Sequence, residues 1–355
     1  MDAFEQKTLV TKPFALTYTY YLSPGFQDNL DSSKPTLVFC HGYPDDAHMW
    51  AGAMPQMLES RNPMILVDIL GLGWSSKPTD YTMYNYKQQA NAIVQILDRE
   101  GVPDNVIPIG HDWGSAICQR LYLYHRHRCI GLVLLSLAYQ IPSDQPFDLD
   151  EANKVTARRF GYRQWEYWNF FTESDAPELM ERNLSRVWEV NHGTYPSNVP
   201  EENGRDIWMR EMFCTIGAMR EYVARLGKYA NHTVDLKPYA KDPALKKRFI
   251  ERMGRDGFAG PVCYYHTLKE NGNLEDEKAL CRHPEDRKIT VPLLYIGATG
   301  DWVCRTDLMS DAKEAGLVLN LEERVIEAGH WCLYEKPEEI AKMIGDWLSR
   351  KYSVK

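Results

Sequence analysis

In Val106-Ile107-Pro108-Ile109-Gly110-His111-Asp112-Trp113-Gly114-Ser115 an apolar run meets a glycine, a carboxylate and a second glycine, and a helical segment follows from Ser115 to His125. A small residue two places before and two places after a central side chain marks a sharp strand-to-helix turn that carries a nucleophile. Gly110 and Gly114 are needed because the central residue sits in strained backbone, where a neighbouring Cβ would collide. Serine is the usual occupant; here it is Asp112. A carboxylate at that place attacks a saturated carbon and leaves an alkyl ester on the protein. Asp before a helix also serves as an N-cap, but the paired glycines and the partners below favour the nucleophile.

Those partners are Asp301, in Ala298-Thr299-Gly300-Asp301-Trp302-Val303, and His330, in Glu327-Ala328-Gly329-His330-Trp331. An ionised Asp112 needs no base to deprotonate it. The work of His330 lies in the second step, activating water against the ester carbonyl. Asp301 orients the imidazole and stabilises its cation. The oxyanion that develops on Asp112 needs two backbone donors. The Trp113 N–H is one, and the expected second is the Tyr43 N–H, in His41-Gly42-Tyr43-Pro44-Asp45. His41, His111 and Asp45 are read as ordering these loops.

The elements that position these residues follow from apolar patterning. Residues 6 to 22 alternate and read as two antiparallel strands, with Pro24-Gly25 and Ser32-Ser33 as breaks. Thr36 to Cys40, Asn62 to Asp68, Val106 to Ile109, Cys129 to Leu137 and Val291 to Gly297 are apolar runs of the kind buried on both faces of a parallel sheet. Helical spacing between them (48 to 59 and 84 to 100) gives a doubly wound α/β architecture. Leu317 to Val325 is a last strand and Pro337 to Lys351 a closing helix. From 139 to 288 no comparable strand is expected. Charged and aromatic residues at helical spacing (Phe160 to Phe171, Glu178 to Val190, Asp206 to Leu226, Pro243 to Met253) predict an inserted helical cap. The core is then residues 1–138 with 289–355, and the cap residues 139–288. The loop Gly71 to Pro78 is glycine-rich, but it lacks a third glycine opening a helix and a Walker Lys-Ser/Thr, so phosphate binding is not expected.

Bulk composition excludes several classes. The chain has 355 residues, 44% of them hydrophobic, and a net charge of −8, which argues against nucleic acid or an anionic membrane as partner. No apolar run approaches the ~18 residues of a membrane span, and Met1 to Val10 does not read as a secretory signal. Eight scattered cysteines, none in a Cys-x-x-Cys pair, are expected to be reduced thiols of a cytoplasmic protein. Tyr352-Ser353-Val354-Lys355 is not a peroxisomal address. No metal or organic cofactor is expected.

With these residues in hand, the chain resembles the epoxide hydrolases of the α/β-hydrolase fold over nearly its whole length. The resemblance rests on His41-Gly42-Tyr43-Pro44, Gly110-His111-Asp112-Trp113-Gly114, Asp301 and Gly329-His330-Trp331, in the order nucleophile, acid, histidine. Haloalkane and fluoroacetate dehalogenases share most of these motifs, so the cap must decide. The resemblance implies two cap tyrosines, Tyr167 in Tyr167-Trp168-Asn169-Phe170-Phe171 and Tyr265 in Pro261-Val262-Cys263-Tyr264-Tyr265, whose hydroxyls hold and protonate the epoxide oxygen. An alkoxide leaving group needs a proton, and a phenol with a pKa of ~10 keeps one at neutral pH. Tyr162 and Tyr264 are the neighbours that compete for these assignments. The resemblance also implies that the phosphatase-like domain of larger members is lacking.

The expected partners are water and a small apolar epoxide, the latter because Trp165, Trp168, Phe170 and Phe171 either line a pocket or form cap core. The expected product is a vicinal diol. The competing readings are a dehalogenase that uses Trp113 as halide donor, a serine hydrolase that would have to use Ser115, and a non-catalytic binding protein of the same fold. The natural epoxide, with its enantiopreference and the carbon attacked, is not written in the sequence. Nor is the oligomeric state.

Overall fold

The central strands are apolar throughout because both of their faces are covered. In the computed structural model, which describes residues 1–30, 34–195 and 207–352, every residue of β3 (Thr36–Cys40), β4 (Met64–Asp68), β5 (Val106–His111) and β6 (Leu132–Leu135) is buried. Two further strands precede them, β1 (Glu5–Thr11) and β2 (Leu16–Leu22). Four follow: β7 (Gly193–Thr194), β8 (Asp235–Leu236), β9 (Ile289–Ala298) and β10 (Val318–Ile326). The main sheet has the order β1-β2-β4-β3-β5-β6-β9-β10. β1 and β2 are antiparallel to each other, and β2 is antiparallel to β4. From β4 to β10 all neighbours are parallel.

This order places the chemistry. From β3 the chain crosses to β4 on one side and then returns to β5 on the other. The carboxyl ends of β3 and β5 therefore flank the point where the crossing direction reverses, and in open α/β sheets ligands bind in the crevice there. β3 delivers His41 to Tyr43 into that crevice, and β5 delivers Asp112. β9 and β10 end beside it, one before Asp301 and the other before His330.

Between β6 and β9 lies the helical insertion, and here the expected boundaries need correction. The predicted helix Phe160 to Phe171 is two: Leu149–Phe160 stops at Gly161, whose φ is 83°, and Tyr167–Phe171 starts anew. Glu178 to Val190 is likewise split, into Ala176–Glu181 and Leu184–His192, with Asn183 at φ −132° between them. Asp206 to Leu226 breaks at Gly217, φ 71°, into Ile207–Cys214 and Ala218–Ala224. The helix predicted to end at Met253 runs from Pro243 to Asp256. Leu149–Phe160 was legible in principle: Asp148 accepts the Glu151 N–H at 2.9 Å, a capping arrangement written as Asp-x-x-Glu. The insertion also holds the short antiparallel ribbon of β7 and β8, and no strand there is comparable to the buried strands of the core among the described residues.

Two core elements are shorter than their apolar patterns. β6 covers only four residues of Cys129 to Leu137, because Ser136 turns the chain at φ 61°. Residues 48 to 59 form a 3-10 turn, Ala47–Trp50, and a helix, Met54–Leu58. Ser32 and Ser33, residues 196–206 (which include the start of the helix expected from Asp206) and the terminal Ser353-Val354-Lys355 lie outside the described residues. All eight cysteines are free and seven are buried. Among the described residues no helix is long and apolar enough to cross a membrane.

Candidate active site

Asp112 has φ 52° and ψ −124°, a conformation that L-residues hold only when the surroundings impose it. The surroundings are glycines. A Cβ on Gly110 would lie 2.4 Å from the Gly114 carbonyl oxygen, and one on Gly114 would lie 2.1 Å from the Cys40 carbonyl oxygen. Although Asp112 stands at the helix N-cap, its side chain makes no capping bond. Its Oδ1 instead accepts the Tyr43 N–H at 2.9 Å, and the Trp113 N–H is near enough to favour the charged carboxylate. A Cβ on Gly42 would fall 2.3 Å from Oδ1, so that glycine is what lets the loop approach. Burial raises the Asp112 pKa, opposed by His330 and the two amides. The Ser115 hydroxyl is buried and donates to the Leu135 carbonyl at 3.0 Å.

His330 Nδ1 lies 2.6 Å from Asp301 Oδ2, and its Nε2 lies 3.6 Å from Asp112 Oδ2. The second oxygen of Asp301 accepts the Val303 and Cys304 N–H groups at 2.9 and 2.7 Å. Burial opposes the charge on Asp301, but His330 and these N–H groups outweigh it and lower its pKa. Burial also disfavours the His330 cation, yet Asp301 and then Asp112 lift its pKa to about 9. Asp301, Cys304 and His330 are close enough to suggest a metal site. The Asp301 oxygens, however, already take three N–H groups, and the arrangement is that of a carboxylate orienting an imidazole.

The loop residues are held as expected of supports. His41 Nε2 accepts the Ile69 N–H at 3.1 Å. The ring of His111 lies 5.0 Å from that of His330, and its Nε2 bonds the His330 carbonyl at 2.8 Å. Burial drops the pKa of His41 to about 4 and of His111 to about 3, so both are neutral imidazoles. The His330 carbonyl can only accept, which makes His111 Nε2 the donor. Asp45 takes the Trp331 indole N–H at 3.1 Å and the Tyr334 hydroxyl at 2.6 Å. It thereby fixes the residue next to His330.

Tyr167 and Tyr265 lie edge to face, with centroids 5.7 Å apart, and the Tyr265 ring is 5.1 Å from Trp113. Burial first, and then the nearby Asp112 charge, raise the Tyr167 pKa far above 10; for Tyr265 the Tyr167 hydroxyl adds to both. The competing neighbours are already committed. The Tyr264 hydroxyl bonds the Leu70 carbonyl and Gln89 at 2.9 and 2.8 Å, and the Tyr162 hydroxyl donates to the Trp302 carbonyl at 2.9 Å.

A cavity of about 430 Å³ opens on Asp112, Trp113 and Tyr167. Trp165 and Trp168 form part of its wall. Phe171 instead packs against Tyr43 and Tyr265, and Phe170 faces a separate hollow. Tyr86, Arg120, Asn273 and Glu277 also line the cavity, and no motif in the sequence marks them. Arg120 carried a faint signal, lying seven residues past Trp113 on the same helix face.

Arg252 was also missed. From the helix Pro243–Asp256 its Nη1 reaches the Pro44 carbonyl at 2.5 Å, and its Nε lies 3.5 Å from Asp46. An arginine of the insertion thus clamps the loop that presents the Tyr43 N–H. Arg252→Met is expected to cost about 1–2 kcal/mol in denaturant unfolding, since it leaves the Pro44 carbonyl without its donor while Asp46 keeps Arg248. It should also lower kcat about tenfold with KM little changed, because only the oxyanion donor is loosened.

Comparison with known proteins bears on the family and the fold. The α/β hydrolase fold family profile matches residues 35–337. The chain is 24% identical to bifunctional epoxide hydrolase 2 of Sus scrofa over 95% of its own length, and it spans 56% of that longer protein. It is 24% identical to epoxide hydrolase srdG of Neurospora crassa, over 95% of this chain and 93% of that one. Among solved structures it is similar to epoxide hydrolase A from Mycobacterium thermoresistibile, with a TM-score of 0.75 and 19% identity over 99% of this chain and 100% of that one. An epoxide hydrolase from an endophytic Streptomyces also gives a TM-score of 0.75, at 21% identity over 100% of this chain and 98% of that one.

Proposed function

The chain belongs to the α/β-hydrolase fold family, and from that premise we propose that it hydrolyses epoxides to vicinal diols. The observation that carries the reading is an Asp112 carboxylate beside an Asp301–His330 pair, in a cavity it shares with Tyr167, whose ring packs on Tyr265 next to Trp113. Asp112 Oδ2 attacks an epoxide carbon, the C–O bond breaks, and a tyrosine hydroxyl protonates the leaving oxygen. The net proton comes from the His330 imidazolium, so the products of this step are a neutral ester, a hydroxyl and a neutral imidazole. Imidazole then takes a proton from water as the water oxygen attacks the ester carbonyl. The Tyr43 and Trp113 amides hold the oxyanion. Collapse releases the diol and restores carboxylate and imidazolium. The test is one turnover of styrene oxide in heavy-oxygen water. The label should enter the Asp112 carboxylate and be absent from the first diol; label in that diol would overturn the ester route.

The pH dependence follows from His330. In the resting protein its pKa of about 9 makes it a cation at neutral pH. Ester formation removes the Asp112 charge that helped raise this pKa, so it falls and the base form appears. Rapid-quench experiments should therefore show ring opening that is level near neutrality and declines above about pH 9. Ester hydrolysis should rise with pH through a midpoint lower than that.

One observation favours a second reading. The indoles of Trp113 and Trp168 line the cavity with Asp112, and indole N–H donors suit a departing halide. Halide release from a haloalkane or haloacid, with no diol from styrene oxide, would establish carbon–halogen hydrolysis instead.

A further inference from the structure

The core ties His330 down in three places: Asp301 at Nδ1, His111 at the carbonyl, and Asp45 at the next residue, Trp331. A fourth tie comes from the insertion. On the N-terminal side of His330, the Gly329 N–H donates to Glu335 Oε1 at 3.0 Å. The same oxygen takes the Lys237 ammonium at 2.8 Å. Lys237 belongs to the insertion, whereas Gly329 and Glu335 belong to the loop and short helix (Cys332–Glu335) that follow β10. The ammonium sits directly against that loop. A Cβ on Gly329 would lie 2.1 Å from Lys237 Nζ and 2.8 Å from Glu335 Oε1, so the lysine fills the place a side chain at 329 would take. The Lys237 and Glu335 side chains are only 17% and 20% exposed, which shelters the pair from the solvent that weakens surface ion pairs.

The ribbon of β7 and β8 aims the lysine. β8 ends at Leu236, which pairs with Gly193 of β7. The Lys237 N–H then donates to the His192 carbonyl at 3.0 Å. Its backbone is thus fixed within the insertion while its side chain reaches across to the His330 loop. A general base works only within hydrogen-bond reach of its proton, and a misplacement of about 1 Å can cost as much as 10²-fold. We infer that Lys237, acting through Glu335 and the Gly329 N–H, is a positioning residue for His330 in the hydrolysis of the ester. The reaction named rests on the epoxide hydrolase reading; the link from Lys237 to His330 rests on geometry alone.

The experiment is rapid-quench turnover of styrene oxide by Lys237→Met, which keeps the aliphatic stem and removes the charge. Preformed ester should decay about tenfold slower than in the parent, while ring opening stays within a few-fold. Lys87→Met is the control. It removes a different ion pair between core and insertion, with Asp276 at 2.8 Å, and its ester should decay at the parent rate. In Glu335→Ala the defect should be at least as large as in Lys237→Met. Adding Lys237→Met to it should cost nothing more, because both act through one link. Ester decay at the parent rate in Lys237→Met, equal slowing in Lys87→Met, or additive losses in the double variant would overturn the inference. If styrene oxide is not turned over, the functional reading falls and the link is judged by proton NMR. The low-field resonance of the His330–Asp301 hydrogen bond should then shift or broaden in Lys237→Met and stay in place in Lys87→Met. The same resonance in both variants and the parent would overturn the link.

Discussion

Replacing His330 with glutamine is expected to stop the protein after a single event. The nucleophile does not depend on the imidazole as a base, because Asp112 is held in place by the Tyr43 N–H at 2.9 Å and its charge is favoured by the Trp113 N–H. Ring opening therefore continues, slowed by loss of the imidazolium proton. Hydrolysis of the ester is different. Nε2 lies 3.6 Å from Asp112 Oδ2, which puts it beside the carbonyl that water must attack, and among the described residues no other base is oriented there by a carboxylate. Turnover should fall by at least ~10³, the range for losing a general base that acts within a triad. Mass spectrometry of His330→Gln treated with excess styrene oxide should find the Asp112 peptide heavier by the substrate mass. Steady turnover with an unmodified Asp112 peptide would remove the covalent route. Asp301→Asn should share the defect in milder form, since the ring would keep its place but lose the carboxylate that holds its tautomer.

How much of this was legible in the sequence depends on how locally each feature is specified. The turn at Asp112 was, because Gly110 and Gly114 answer to contacts within a few residues and with the next strand. So were the buried strands, whose apolar character reflects covering on both faces. Asp301 and His330 were legible as loop residues after strands, and the sheet order then explains why such distant loops meet. The cap was read poorly. Its aromatic residues recur at helical spacing across Gly161 and Gly217, and the pattern continues where the backbone turns out at φ 83° and 71°. Arg252 and Glu277 were not legible, since their meaning comes from partners far along the chain. Arg252 meets the Pro44 carbonyl 208 residues away, and Glu277 meets Arg120 157 residues away. Nothing in a local window distinguishes such residues from a solvated charge.

The cap tyrosines carry the second large effect, and it falls on the opposite step. Tyr167 and Tyr265 are buried beside Asp112, and their pKa values lie far above 10, so both are protonated across the working range. Such phenols make poor acids toward water but good donors to an oxygen that becomes an alkoxide, since its basicity rises as the ring opens. Tyr167→Phe and Tyr265→Phe should each slow ring opening about 10², and the double variant should approach 10⁴. The hydrolytic step should be spared in each variant. Preformed ester should therefore decay at the parent rate in rapid-quench experiments, and no ester should accumulate in the steady state. Tyr162→Phe and Tyr264→Phe are the controls. Their hydroxyls serve the Trp302 and Leu70 carbonyls, so they should lower thermal stability while ring opening stays within a few-fold of the parent. If the controls slow ring opening as much as Tyr167→Phe and Tyr265→Phe do, the leaving oxygen is not held by the pair at 167 and 265. A halide, which leaves without a proton, should be indifferent to both hydroxyls as acids, so loss of epoxide turnover with haloalkane turnover retained would separate the two chemistries on one protein.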